Sequence, residues 1–364
     1  MKRAATAMIV GLYVLGAWAA AAGAAAVREA PIADLGDRAT KLSGYGDVLA
    51  WSTWDKRSKR YRLTVRVGGE QPVQVKVPGR RLPFDVDVGP GRDERPLVAY
   101  SRCRREPDTR TVRAAYVANL EGAPAYYKAS GCDLYTYSVA LRQEIRLRSV
   151  SSSSFSEYMP SVWRGNVAFV RRHSARGMPR LYLRPAGSRR SIRLAGGPVR
   201  HFVDGPATLD LRGRRLAYEW HSSLGEIEFC ETTGDGPALY TQGYEERIRV
   251  VEPGRPTRHI AYACTAEDSV NDVGGAVWSG PELLLTRESY VGGRPNPNAG
   301  YDDFIGHYRA GAVVALSPAG ATRELGTYTS DDSQIRYVAV TQTGIFAMLT
   351  NRERRSRIAQ LIPG

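Results

Sequence analysis

The chain has 364 residues, of which 43% are hydrophobic, so there is enough apolar material to bury a sizeable core. Its formal net charge is +14, which draws a protein toward anionic surfaces, but Arg is spread along the whole sequence and reads as a compositional bias rather than a binding patch. Tyr (20) and Trp (6) outnumber Phe (7), and such residues suit half-buried β surfaces with a polar tip facing water.

At the N-terminus, Lys2 and Arg3 precede an uncharged stretch over 4–27 with its apolar centre at 8–18, and Ala24 and Ala26 offer an A-x-A cleavage site before Arg28 and Glu29. This is the pattern of a secretory signal peptide. Residues 1–26 are therefore expected to be a signal peptide and 27–364 a single folded domain in an extracytoplasmic setting. Left uncut, the run is long enough to span a bilayer, and it is the only membrane contact the sequence offers.

Beyond it, helical periodicity is nearly absent. Short alternating runs are separated by turns rich in Gly, Pro, Asp and Arg, which are strand and hairpin signals. Runs at 47–52, 61–67 and 72–77 come first. In the second, Leu63, Val65 and Val67 alternate with Arg62, Thr64 and Arg66, so apolar side chains take one sheet face and polar ones the other. Arg is expected mostly on the wet side.

The runs recur as a unit. The second unit is 84–88, 96–101, 133–137 and 144–147. The clearest is PSVWRGNVAFVR at 160–171, followed by 181–184 and 191–194. The order returns at 209–218, at 276–286 with 312–316 and 322–325, and at 337–348 with 357–361. That makes six units, with turn glycines at Gly44 or Gly46, Gly89, Gly165, Gly213, Gly280 and Gly344. Their uneven spacing reflects insertions such as 104–131 and 288–303, and leaves seven units as the alternative.

A four-stranded antiparallel sheet has two faces and two edges to hide, and arranging such sheets around an axis buries the faces against neighbours. The expected fold is all-β, a six-bladed or alternatively seven-bladed β-propeller of four-stranded antiparallel blades. The last unit shows three strands, and residues 27–35 are predicted to supply the fourth, closing the ring. The segments PSVWRGNVAFVRR, RLYLRP, SIRL and GAVWSGPELLLTRE, read together over about 40–362, resemble the TolB-like propellers of exported bacterial proteins. The Pro-x-W-S-P-D-G turn of that group is kept only in part, at 160–165 and 277–282. The resemblance implies an exported propeller and brings no catalytic residues with it.

Four cysteines, Cys103, Cys132, Cys230 and Cys264, suggest disulfides in an exported chain. Three pairings are possible. Cys103–Cys132 and Cys230–Cys264 are expected because each pair falls within one unit. Their spacing fits no zinc pattern, and neither a metal nor a cofactor motif is present.

Catalytic signatures are also missing: no G-x-S-x-G, no H-E-x-x-H and no phosphate-binding loop. His173, His201, His221, His259 and His307 are scattered and read as structural. Glycosidase chemistry needs two carboxylates, and Asp85, Asp87, Asp210 and Glu219 stand at strand ends. Asp302, Asp303, Asp331 and Asp332 read as loop or turn residues. Asp85 and Asp87 share one strand face. No catalytic residue is assigned. Basic clusters at 57–60, 104–105, 189–190, 214–215 and 352–357 fall mostly in turns, and separate basic hairpin tips discourage edge-to-edge aggregation. The insertions, with Tyr126, Tyr127 and Tyr301, are the loops expected to meet a partner. The expected function is a monomeric, non-enzymatic binding or scaffolding module for a protein or an anionic cell-envelope polymer, with no nucleic-acid partner. The alternative is a secreted glycan hydrolase with axial carboxylates.

Overall fold

The computed structural model describes residues 27–36, 38, 40–107, 129–173, 177–197, 205–224, 243–266, 269–295, 304–328, 333–351 and 355–362. All of their regular elements are strands. The segment β1 (Arg28–Gly36) comes first and is used last. Blade one holds β2 (Ser43–Tyr45), β3 (Val48–Asp55), β4 (Arg60–Val67) and β5 (Val73–Gln74). Blade two holds β6 (Asp87–Pro90), β7 (Pro96–Arg105), β8 (Ser130–Ser138) and β9 (Gln143–Arg146). Blade three holds β10 (Ser156–Trp163), β11 (Asn166–Arg172), β12 (Arg180–Arg184) and β13 (Ile192–Arg193). Blade four holds β14 (Gly205–Arg212), β15 (Arg215–Leu224), β16 (Gly243–Val251) and β17 (Arg258–Ala266). Blade five holds β18 (Ser269–Ser279), β19 (Glu282–Pro295), β20 (Phe304–Leu316) and β21 (Thr322–Tyr328), and blade six β22 (Ser333–Thr341), β23 (Gly344–Asn351) and β24 (Ser356–Ile362).

Each blade is antiparallel and ordered as the chain runs, and the tips of β17 and β18 pair as well, joining blades four and five. The first strands meet in a ring: β2 touches β6, β6 touches β10, and so on through β14, β18 and β22 back to β2. The fold is thus a six-bladed β-propeller. Blade six takes its fourth strand from the start of the chain, where β1 pairs antiparallel with β24 from Arg28↔Ile362 to Gly36↔Ser356. Arg357 clamps this seam by donating to both carboxylate oxygens of Glu29 at 2.9 Å.

Burial follows the blades. The six apolar clusters among the described residues sit chiefly at the contacts between neighbouring blades. Trp51 and Leu42 of blade one, for instance, meet Tyr337, Phe346 and Met348 of blade six, while Leu63 and Tyr61 meet Phe84 and Tyr100 of blade two. A blade therefore has no core of its own. At about 25 cal/mol per Å² of apolar area removed from water, the stacking of blades is the main source of stability.

Two expectations need correction. Gly89 lies inside β6, and the turn after it is made by 91–95, where the Gly91 N–H donates to the Arg95 carbonyl. Gly89 is needed for close approach instead, because a Cβ there would come within 2.0 Å of the Val162 carbonyl oxygen on blade three. Gly46, by contrast, does sit in a turn, with φ +62°. Nor is Arg always on the wet side. Arg80 and Arg172 are each 2% exposed, and Arg80 donates to Glu106, Asp85 and the Ser101 carbonyl.

Cys103 and Cys132 are direct cross-strand partners on β7 and β8 and form a disulfide at the base of the blade-two insertion. The expected signal peptide, the Cys230 partner of Cys264, His201, Tyr126, Tyr127, Tyr301 and the aspartates 302, 303, 331 and 332 lie outside the described residues.

Candidate functional site

The polar residues nearest the axis come from equivalent positions of the first strands. Ser43, Asp87, Ser161 and Asp210 are the cross-strand partners of Ala50, Ala99, Ala168 and Ala217. A methyl group opposite leaves space for a polar side chain. Each then reaches the following blade and accepts a main-chain N–H of its first strand. Ser43 Oγ takes Val88 N–H at 2.9 Å, Asp87 Oδ2 takes Val162 N–H at 2.9 Å and Ser161 Oγ takes Leu211 N–H at 2.8 Å. Asp210 Oδ2 takes Trp278 N–H, and the Trp278 indole N–H donates back to the Asp210 carbonyl. Blades five and six carry Val277 and Ala339 at the matching positions, with Leu284 and Phe346 opposite.

The same service is done one layer away. Asp85 accepts Met159 N–H at 2.6 Å as well as the Ser101 N–H and hydroxyl, and Glu219 accepts Gly275 N–H at 3.2 Å. The four strand-end carboxylates legible in the sequence are thus all occupied by amides of the next blade. A carboxyl oxygen bonded to a buried N–H satisfies a donor that would otherwise be costly to bury.

The electrostatics of this ring are unusual. Burial, aggravated by the like charge of Asp87, pushes the Asp210 carboxyl up to about 8. Burial also raises Asp87, against the opposing pull of Lys41 and the bonds from Val162, Ser161 and Ser43. Lys41 is 8% exposed. Its charge acts on both aspartates, yet its Nζ meets no hydrogen-bond acceptor.

Two residues further along these strands, toward the hairpin turns, the character changes. Tyr45 and Trp163 meet edge-on with centroids 5.7 Å apart. The contact spans blades one and three across Gly89, which offers no side chain in between. The Arg212 and Arg164 guanidinium groups lie 5.9 Å and 5.8 Å from the Trp163 ring, and Arg215 lies 4.8 Å from Trp278. Arg164 is paired with Glu94. Arg212 keeps a buried Nη1 with no hydrogen-bond partner, and burial plus the neighbouring Arg215 charge lower its pKa. Arg184 repeats this: its buried Nε has no hydrogen-bond partner, and burial with the Arg92 charge lowers its pKa.

Among the described residues, His173, His221 and His259 do not converge. His173 is exposed against Phe155, His259 is exposed, and the buried His221 faces Glu246 at 3.7 Å. No cluster of three or more His, Cys, Asp or Glu side chains suited to a metal occurs among the described residues. Sequence reading picked out Asp87 and Asp210 and missed Ser43, Ser161, Lys41 and the Arg–Trp mouth. The Ser/Asp-to-Ala pairing across the first hairpins of blades one to four was the available signal.

No family model matches the chain, and no curated protein matches it. Solved structures do. The β-propeller domain of Cps50 (Swd1) from Myceliophteria thermophila is 10% identical with a TM-score of 0.40, over 92% of this chain and 100% of that one. A chain of the mitotic checkpoint complex is 10% identical with a TM-score of 0.43, over 98% and 100%. The β-propeller domain of the Trilobed protease from Pyrococcus furiosus is 8% identical with a TM-score of 0.39, over 89% and 96%. The likeness is one of architecture and goes no further.

Proposed function

We propose that this protein is an exported, monomeric, non-enzymatic binding propeller of TolB-like type that holds an anionic cell-envelope partner on the face bearing its first hairpin turns. The observation that carries the reading is the occupation of Asp85, Asp87, Asp210 and Glu219 by amides of neighbouring blades. These carboxylates hold the ring together, while the groups left without acceptors at the mouth are basic. The Cys103–Cys132 bond supports an oxidising compartment. The test is retention of envelope fractions on the immobilised mature protein at low and moderate salt, with Arg212→Gln beside the wild type. Salt-sensitive retention that weakens in the variant is expected, and equal retention by both would sink the reading.

A second reading rests on Asp210. A carboxyl held protonated near neutral pH beside a second carboxylate is the arrangement of a general acid with its partner. Release of reducing ends from a glycan, abolished by Asp210→Asn, would favour a hydrolase over a binding module.

A further inference from the structure

In every blade the turn between the first and second strands and the turn between the third and fourth emerge on the same face, because the four strands run up and down in order. On blades two to four that face carries Arg92, Arg164, Arg184, Arg212 and Arg215. Two pairs among them set like charge near like charge: Arg212 and Arg215 are cross-strand partners at the end of their hairpin, and Arg184 feels the charge of Arg92, whose Nε would lie 2.7 Å from a Cβ at Gly165, with Ala186 on the other side. The two pairs flank one hairpin tip, since Arg92 lies across Gly165 and Ala186, next to Trp163 and Arg164. Glu94 neutralises Arg164. Buried N–H groups of Arg212 and Arg184 face no acceptor. Like charges set side by side repel, and an arriving oxyanion relieves that repulsion.

The aromatic side chains narrow the choice of anion. Nucleic-acid binding needs open ring faces for bases to stack on. Here Arg212 and Arg164 lie within cation–π range of Trp163, Arg215 lies over Trp278, and Tyr45 meets Trp163 by its edge. The rings orient guanidinium groups and offer no platform. Protein hot spots set Trp, Tyr and Arg in a dry, well-packed surround; of the large exposed hydrophobics among the described residues, Val73, Ile145 and Ile192 lie on outermost strands, and Leu141, in the turn between β8 and β9, stands singly on this face.

We propose that this face binds an acidic polysaccharide, whose repeated oxyanions engage the Arg212–Arg215 and Arg92–Arg184 pairs in succession. Two separated cation pairs call for a ligand with charges along its length, and oriented guanidinium forks suit carboxylate and phosphate equally. The proposal rests on the binding-face reading above and adds the class of ligand.

The mature protein is titrated with oligogalacturonate, a sugar-phosphate polymer, neutral oligogalactan, oligoglutamate and single-stranded DNA, followed by calorimetry and tryptophan fluorescence. Binding of either acidic polysaccharide is expected, with carboxylate and phosphate sources separated by the first two arms. It should fall at least tenfold as salt rises from roughly 50 to 300 mM, and at least tenfold in Arg212→Gln combined with Arg184→Gln. The thermal midpoint of that variant should stay level or rise, because each change removes an Arg–Arg repulsion. If it fails to fold, Arg215→Gln at the turn tests the same pair. Equal binding of neutral oligogalactan, or binding of oligoglutamate or DNA as tight as the acidic polysaccharides, overturns the proposal. So does undiminished binding by the variants. If no polysaccharide binds while envelope retention still depends on Arg212, the ligand class is wrong and the binding face stands. If retention is also independent of Arg212, both fall.

Discussion

The carboxylate of Asp87 on β6 accepts the main-chain N–H of Val162 on β10 at 2.9 Å, across 75 positions of sequence and one blade boundary. Both partners are buried, with Asp87 3% and Val162 4% exposed. The bond belongs to a run in which Ser43, Asp87, Ser161 and Asp210 each hold the blade that follows. The axis of this propeller is thus sewn by side chains on blades one to four. On the fifth and sixth, Val277 and Ala339 occupy the matching positions.

Removing the acceptor should therefore cost more than removing the charge. Asp87→Ala leaves the Val162 N–H buried without a partner and should destabilise by roughly 1–3 kcal/mol. Asp87→Asn keeps an acceptor and relieves the repulsion on Asp210, so its loss should be smaller. Urea unfolding of the two variants measures the difference, and an equal loss in both would contradict the sewing role.

Stability should fall as pH rises through neutrality. Asp210 is pushed up to about 8 and Glu157 to about 7, both chiefly by burial, and Asp87 is raised for the same reason. A carboxyl with a raised folded-state pKa binds protons in the folded chain that the unfolded chain has released. Its contribution is complete below the unfolded value and is lost as pH climbs from about 4 to 8. The charges facing Asp210 are Asp87 and Lys41, and Glu157 is paired with Arg171 at 3.0 Å. Unfolding free energies between pH 5 and 9 should decline, with a shallower slope in Asp210→Asn and a shallower one still when Glu157→Gln is added. A rising profile would count against this assignment.

The Cys103–Cys132 bond closes a loop with a sequence separation of 29. In the chain-entropy account this stabilises by about 3–4 kcal/mol. The double Cys103→Ser, Cys132→Ser variant should unfold at lower denaturant by a corresponding amount, and an unchanged midpoint would show that the insertion is held by other contacts.

Deleting residues 27–36 should do more than remove one strand. It strips β24 of its outer partner and frees Arg357 from Glu29, leaving an open edge with unpaired N–H and C=O groups. The truncated protein should be less stable and should associate through that edge, which light scattering after size exclusion would detect. A stable monomer would mean that β1 decorates the ring instead of closing it.

Gly89 shows where sequence reading stopped. Its placement between two apolar runs marked a turn, whereas its function is set by a carbonyl on another blade, 2.0 Å from where a Cβ would stand. Arg212 is similar. In sequence it is one basic residue among many beside the turn at Gly213, and only the assembled ring reveals that it lies 5.9 Å from the Trp163 ring of the preceding blade and that its Nη1 has no acceptor.

The alternation at 61–67, the recurring units at 160–171 and 209–218, and the missing strand of the last unit determined the blades and the use of the N-terminal segment, because strand period and turn chemistry are local properties of a chain; six blades against seven was decided by the closed ring. What Asp85, Asp87, Asp210 and Glu219 do was decided only by tertiary structure. A carboxylate at a strand end looks the same whether it meets a substrate or an amide, and the partner here comes from the next blade, 56 to 75 positions away.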